Sequence, residues 1–387
     1  MKIFSCDRCG HPVFFENVQC LHCGSALAFL PDALSLAALE PAAEPAPAGL
    51  LRRIGAADTG ATYRMCLNHA LHQACNFAVP AQDPVDLCIS CRQTRLLPDL
   101  SQPGNRERWC RIEVAKRRLL YTLLQLGLAS AQPGSSAADG PVFELLADQP
   151  GAPAVLTGHR NGVITLNVAE ADDDERARRR VALHEPYRTL LGHLRHESGH
   201  YYWDRLILAA GRVQAFREVF GDESRDYLQA LGAHYAAGPG ASQWWEGYVS
   251  AYAAAHPWED WAETWAHYLH MVDLLETASS YQTTVVVPGP APQAPMEDTA
   301  APVINPFAGG GGDFDDLVRQ WVPVTLLLNS LNRSLGQSDA YPFALTEGAL
   351  RKLRYVHGVI GASTAAAVPQ AAGDAQATRR NEPAGVA

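Results

Sequence analysis

The hydrophobic pattern divides the chain into regions of different period. Up to about residue 100, apolar positions come in short runs broken by Cys, Gly and Pro, with no sustained period. From Arg106 the spacing becomes helical: Trp109, Ile112, Val114, Leu119, Leu120, Leu123, Leu124 and Leu128 predict a long helix over 106–128. A loop over Gln132–Gly140 follows, then strand signals at Val142–Leu146, Ala154–Thr157 and Gly162–Val168. The Asn-Gly pair within His159–Gly162 reads as a hairpin turn. After the acidic patch Asp172–Glu175, helical periodicity predicts helices over 186–210, 222–236, 242–255, 257–277, 313–334 and 345–357. The stretch 288–312, rich in Pro and ending in four consecutive glycines, predicts a flexible loop, and residues 361–387 a disordered tail. The fold class expected is α+β, mainly helical with a small β-sheet after a loop-rich N-terminal part.

Composition bounds this picture. The 387 residues are 47% hydrophobic and 19% charged, which is globular and allows two or three domains. Apolar runs such as Leu326–Leu328 are too short for a bilayer, and Met1–Cys9 carries Cys, Asp and Arg where a secretory signal needs apolar residues. A soluble, cytoplasmic protein without membrane contact is expected. The formal charge is -10, unevenly spread: residues 1–130 carry 13 basic against 11 acidic residues, and the remainder 18 against 30. Arg106, Arg108, Arg111, Lys116, Arg117 and Arg118 could serve a nucleic-acid-binding module. The overall charge and the helical context favour a solvated helix face or a contact with the acidic part, so nucleic acid is not the expected partner.

The nine cysteines stand at 6, 9, 20, 23, 66, 75, 88, 91 and 110. Their odd number and paired spacing point to metal in a reducing compartment rather than to a disulfide framework. Cys6, Cys9, Cys20 and Cys23 form two C-x-x-C knuckles that can surround one tetrahedral zinc ion, with Gly10 and Gly24 suited to the tight turns. Cys66, Cys75, Cys88 and Cys91 make the simplest second set, with His69 and His72 as substitutes; Cys110 is left as a buried free thiol. The organisation expected is therefore a ribbon over 1–30, a linker over 31–50, a second Cys-rich module over 51–105 and a larger domain over 106–360.

The chemistry-bearing motif is His196-Glu197-Ser198-Gly199-His200. Histidines four apart on a helix project from one face and can share an ion, and Glu197 can reach a water on it. The segment from Pro257 places Glu259, Glu263 and His267 on one helix face, costly to bury without a metal or partners. Glu259 is the expected third zinc ligand and Glu263 an acceptor that orients a ligand histidine. Trp203 and Leu206 occupy the positions where metzincins need Gly and His, which excludes that class; Glu from a later helix with an acid four residues on, as in Glu259 and Glu263, is the gluzincin arrangement. The expected reaction is peptide-bond hydrolysis by zinc-activated water with Glu197 as general base. Tyr252 is the expected oxyanion donor, with His256 and His267 as rivals and Tyr252 as a packing residue the alternative. Asp204 is a further acceptor or a helix-surface acid, and Gly162–Val168 an edge strand for an extended peptide.

The paired knuckles, Cys75-Asn76, Cys88–Arg92, Ala115–Tyr121, Arg195–Asp204 and His256–His270 together resemble the bacterial zinc-binding metallopeptidases that carry an N-terminal zinc ribbon. The resemblance implies a zincin-like domain behind zinc ribbons, with one catalytic and two structural Zn²⁺. A zinc-dependent peptidase acting on a peptide or protein substrate is the leading expectation. The alternatives are a zinc-ribbon binding module and a metallated but inactive scaffold, in which Tyr201, Tyr202 or a neighbouring loop blocks the open position. Oligomeric state is left open.

Overall fold

The first two knuckles end in glycines with positive φ, Gly10 (71°) and Gly24 (75°), whose N–H groups return to the Cys6 and Cys20 carbonyls at 2.8 Å. Only glycine adopts that conformation without a Cβ penalty. In this computed structural model the described residues are all except 45–46, 48, 56–59, 133, 135–139, 183–187, 239–243, 288–300, 309–311 and 368–387. Strands β1 (Phe4–Ser5) and β2 (Pro12–Val13) pair across the first knuckle. A five-stranded antiparallel sheet follows in the order β3 (Ala26–Leu30), β4 (Ser35–Pro41), β5 (Leu51–Arg53), β6 (Tyr63–Met65) and β7 (Ala78–Pro80). A bridge between Phe29 and Phe77 draws its outer strands together.

This sheet corrects the linker expected over 31–50. Leu36, Ala37, Ala38 and Leu39 are buried in β4, which pairs with β3 and β5. An Ala-rich run with one Pro has linker composition, yet its small side chains suit a strand packed on both faces. The two Cys modules are not separate either: cysteines of both clusters share one apolar cluster with Phe15, Phe29 and Phe77. Tyr121 belongs to that cluster and comes from the long helix α2 (Asn105–Gln125), after the short helix α1 (Leu67–His72).

The larger part combines a four-stranded sheet with helices. Its order is β10 (Gly158–Arg160), β11 (Val163–Asn167), β9 (Val142–Leu146) and β8 (Thr94–Leu96), with only the β10–β11 pair antiparallel. Asn161 and Gly162, at φ 51° and 81°, make the two-residue turn that the Asn-Gly pair predicts. Two strand expectations change. Ala154–Thr157 is outside any strand, and β11 is paired on both sides, so the sheet's edges are β10 and β8 and not β11.

Seven more helices complete the described residues: α3 (Asp173–Ala182), α4 (Leu190–Trp203), α5 (Val213–Phe220), α6 (Tyr227–Ala237), α7 (Pro257–Ser280), α8 (Phe314–Ser334) and α9 (Glu347–Ala367). Thr189 caps α4 by accepting from the Gly192 N–H, and one π-helical turn at Asp204–Leu208 prolongs it. The helix expected over 242–255 is instead two 3-10 turns, Trp244–Glu246 and Tyr252–Ala255, joined through irregular backbone. Of the 288–312 loop only 301–308 and 312 are described, and most of the expected tail lies outside the described residues, although α9 runs past 361 to Ala367. No helix among the described residues is long and apolar enough to cross a membrane.

The basic residues of α2 are spent inside the chain. Arg108 and Arg111 pair with Asp172, Arg118 with Glu16 and the buried Lys116 with Glu113. Arg106 and Arg117 donate to the His72 and Ala74 carbonyls. Of these contacts, those of Arg108 and Arg111 reach the acidic part of the chain, that of Lys116 stays within α2, and the others reach the N-terminal part.

Candidate metal centre and active site

Helices α4 and α7 cross at Gly199, where a Cβ would lie 2.9 Å from the Ala262 Cα. That approach sets the His196–His200 face against the first turn of α7. Pro257 at the first helical position, His256 as N-cap and acidic Glu259 and Asp260 in the opening turn fix where α7 begins. The result brings His196, His200 and Glu259 together, all buried, with one ligand atom from each within 4.8 Å of the others.

The Oε2 atom of Glu259 lies 3.0 Å from His196 Nε2 and 3.6 Å from His200 Nε2. Zinc bonds of about 2.0–2.2 Å in tetrahedral geometry require ligand atoms about 3.3–3.6 Å apart. This buried Oε2 has no hydrogen-bond partner among the described residues, as befits an atom reserved for a cation. The three residues therefore fit a zinc ion. Burial alone would raise the Glu259 carboxyl, but the imidazoles of His200 and His196 hold it well below the ordinary range.

Each ligand is held from behind. Glu263, one turn along α7, lies 2.7 Å from His196 Nδ1, and Ser250 Oγ donates to its other oxygen at 2.6 Å. Burial opposes ionisation of Glu263, but His196 pulls its pKa down to about 2. Tyr227 donates to Glu259 Oε1 at 2.6 Å, and Trp258 lies against the His200 ring with centroids 4.0 Å apart. His200 Nδ1 has no hydrogen-bond partner among the described residues, so Asp204 does not anchor that nitrogen.

Glu197 opens onto a cleft of about 380 Å³ lined by His193, His196, Tyr252, Glu263, Ala266 and Phe343 among others. Its Oε1 is 3.3 Å from His193 Nε2, while Oε2 is buried without a hydrogen-bond partner among the described residues. His193 Nδ1 in turn meets Oε2 of Glu170 at 2.7 Å. Tyr252 lines the cleft with its ring 5.9 Å from that of His196. Its rivals are engaged elsewhere: His256 accepts the Trp258 N–H in capping α7, and His267 Nδ1 meets the Tyr341 hydroxyl at 2.6 Å. Tyr202 stacks on Trp265 and donates to the Leu128 carbonyl, which directs it into the core and away from the ligands.

The cysteine clusters show the same agreement with metal geometry. Cys6–Cys23, Cys9–Cys20 and Cys75–Cys88 Sγ pairs all stand 3.7 Å apart. Thiolates at about 2.3 Å around a tetrahedral zinc lie about 3.8 Å apart. Cys66, Cys75, Cys88 and Cys91 converge without a histidine; His69 bonds instead to the Cys75 carbonyl, and His72 packs on Trp109. Cys110 is a half-buried free thiol.

Sequence reasoning missed Tyr227, Ser250, His193 and Glu170. The first two come from irregular or distant segments, and nothing in their surroundings marks them. His193 carried a usable signal, since it stands four residues before Glu197 on one helix.

A family profile described as "Putative zinc-binding metallo-peptidase" matches residues 105–359, and a zinc-ribbon domain profile matches residues 3–102. Uncharacterized proteins of Mycobacterium bovis and of two Mycobacterium tuberculosis strains are 40% identical over 361 residues, covering 93% of this chain and 95% of theirs. No solved structure matches at a significant level. With that profile spanning the helices that carry His196, His200 and Glu259, the chain belongs to the zinc-binding metallo-peptidase family with an N-terminal zinc ribbon.

Proposed function

We propose that the protein is a gluzincin-type peptidase that hydrolyses peptide bonds of a peptide or protein substrate. The observation that carries this reading is the convergence of His196, His200 and Glu259 beside a cleft into which Glu197 projects. His196, His200 and Glu259 would hold the zinc, which when bound would lower the pKa of a water to about 7 and polarise a carbonyl. Glu197 accepts the proton of the attacking water and passes it to the departing amine. Glu263 and Tyr227 fix the orientation of His196 and Glu259, so the ligand set needs little rearrangement on binding. Burial pushes the Tyr252 phenol well above its ordinary pKa, which keeps it a hydrogen-bond donor for the oxyanion. Two further zinc ions, in the Cys6–Cys23 and Cys66–Cys91 clusters, are structural, giving three per chain.

Elemental analysis tests the metal content. Three zinc per chain are expected, and two in the double variant His196→Ala/Glu259→Ala. Fluorescein-labelled casein and a quenched peptide library test the chemistry, with Glu197→Gln expected to keep three zinc and lose hydrolysis by about 100-fold or more. A variant as active as wild type would remove Glu197 from the mechanism.

A further inference from the structure

Beside the three converging residues, Glu197 is joined to the sheet by a chain of polar contacts in which Asn167, Glu170 and Glu197 are buried and Thr157 and His193 are partly buried. His193 Nε2 lies 3.3 Å from Glu197 Oε1, and His193 Nδ1 lies 2.7 Å from Glu170 Oε2. Carboxylates only accept, so an imidazole placed between two of them satisfies both only by donating from both nitrogens. Glu170 is 1% exposed and fully engaged: Thr157 donates to its Oε1 at 2.7 Å, Arg179 reaches the same oxygen at 3.0 Å, and Arg188 reaches Oε2 at 3.4 Å. The Thr157 hydroxyl itself accepts the Asn167 N–H at the end of β11, which ties the chain to the sheet. From sheet to base the order is Asn167, Thr157, Glu170, His193, Glu197.

We propose that His193 is a positioning residue for the peptidase reaction: oriented by Glu170, its Nε2–H clamps Oε1 of Glu197 and leaves Oε2 as the single proton-accepting oxygen. This rests on the reaction proposed above. Without the clamp, a glutamate at the wall of a 380 Å³ cleft has rotamers that turn both oxygens away from the reacting water. With it, one oxygen is committed to the helix and the other is fixed without a partner, as the orphaned Oε2 shows. The electrostatics agree with the geometry. Burial disfavours a charged His193, yet Glu170, and Glu197 after it, raise its pKa to about 9; Glu170, opposed by burial, is held at about 2 mainly by His193 and then Arg188. Glu170 reaches Glu197 through His193, so its loss should not add to the loss of His193 in what hydroxamate affinity reads at Glu197.

The test uses the full zinc-loaded chain and two probes, labelled casein and acetohydroxamic acid. On chelating zinc the hydroxamic acid gives up its O–H proton, which the positioned base accepts, so its affinity reports Glu197 without turnover. His193→Phe, with zinc content unchanged, is expected to bind acetohydroxamic acid at least tenfold more weakly and to lose at least tenfold in kcat, with KM within twofold. Glu170→Gln is expected to show the same pattern in milder form, and the double variant to be no worse than His193→Phe alone. His193→Gln, which keeps polar volume, decides the matter if the Phe variant does not fold. Wild-type hydroxamate affinity and kcat in a folded, fully metallated His193 variant would overturn the clamp while leaving the peptidase reading standing. Additive losses in the double variant would overturn the relay from Glu170. A wild-type protein with three zinc that neither binds the hydroxamate nor cleaves casein would overturn the peptidase reading, and the clamp with it.

Discussion

Gly199 offers the sharpest perturbation of the candidate site. It lies between Glu197 and His200 at the α4–α7 crossing, where an added Cβ meets Ala262 Cα at 2.9 Å, Trp265 Cδ1 at 3.2 Å and Ala262 O at 3.3 Å. Ordinary carbon contacts begin near 3.5 Å, so the two helices must separate by about 0.5 Å or more. Backbone atoms supply the closest contact, so no side chain can swing aside to absorb it. Overpacking of this kind costs about 1–3 kcal/mol, and the upper end applies here; better helix propensity returns about 1 kcal/mol. Gly199→Ala is therefore expected to lose about 2 kcal/mol of stability. Metal distances tolerate only about 0.2 Å, so zinc affinity at the His196–His200–Glu259 site should fall at least tenfold. Urea unfolding followed by tryptophan fluorescence, and chelator competition for the weakest zinc, measure the two effects. Gly232→Ala is the control: it lies in α6 with nothing near its would-be Cβ, and should stabilise by about 1 kcal/mol. A Gly199→Ala protein with wild-type midpoint and zinc affinity would refute the close-crossing argument.

Other perturbations address the supports of the site. Tyr227→Phe deletes the 2.6 Å bond to Glu259 and should weaken zinc binding at that site by about 10-fold, measured by chelator competition, with an unchanged melt. Arg195→Met strands the buried Asp273 and should cost about 3 kcal/mol, while adding Asp273→Leu recovers most of it; simple additivity in a denaturant double-mutant cycle would contradict the pairing. Cys88→Ser should remove one zinc and make the chain N-terminal to α2 the first site of limited proteolysis, because Cys88 lies in the apolar cluster that holds that region together. Wild-type resistance with only two zinc bound would show that the second cluster is not structural.

What the sequence disclosed depended on how local each signal was. His196, Glu197 and His200 share one helix, so their spacing alone placed three side chains on neighbouring faces. Glu259 and Glu263 were legible because an i, i+4 acidic pair beside Trp261 and Trp265 is expensive to bury without a purpose. The cysteine sets were legible for the same reason, as thiolates at fixed spacing. Tyr227 and Ser250 were not, since only the tertiary fold brings a loop serine and a distant helix start onto α7. The strand β4 was missed because the Ala and Pro content of its segment reads as linker and no period marks a strand there, whereas pairing with β3 and β5 decides it. The helix expected over 242–255 failed differently: its apolar spacing is satisfied by two short turns that set Ser250 and Tyr252 against Glu263 and His196.

Helix α7 gives the ribbon a reason to be attached. Its first turns carry Glu259 and Glu263 and pack Trp261 and Trp265 on α4, and its last turns carry Asp273 and Glu276. Asp273 accepts from Arg195, the residue beside the ligand His196, and from Thr122 of α2. Glu276 accepts from Tyr121 of α2 and, at 3.0 Å, from the Lys2 N–H beside β1. Tyr121 meanwhile packs on Phe15 and Phe29 of the ribbon with centroids 5.4 and 5.8 Å away. A helix transmits displacement along its axis with little compliance, and sliding by one residue would move every contact by about 1.5 Å. The ribbon therefore contacts the far end of the same helix whose near end carries Glu259, the proposed third metal ligand. Its structural zinc would set the register of α7, and with it the distance from Glu259 to the two histidines.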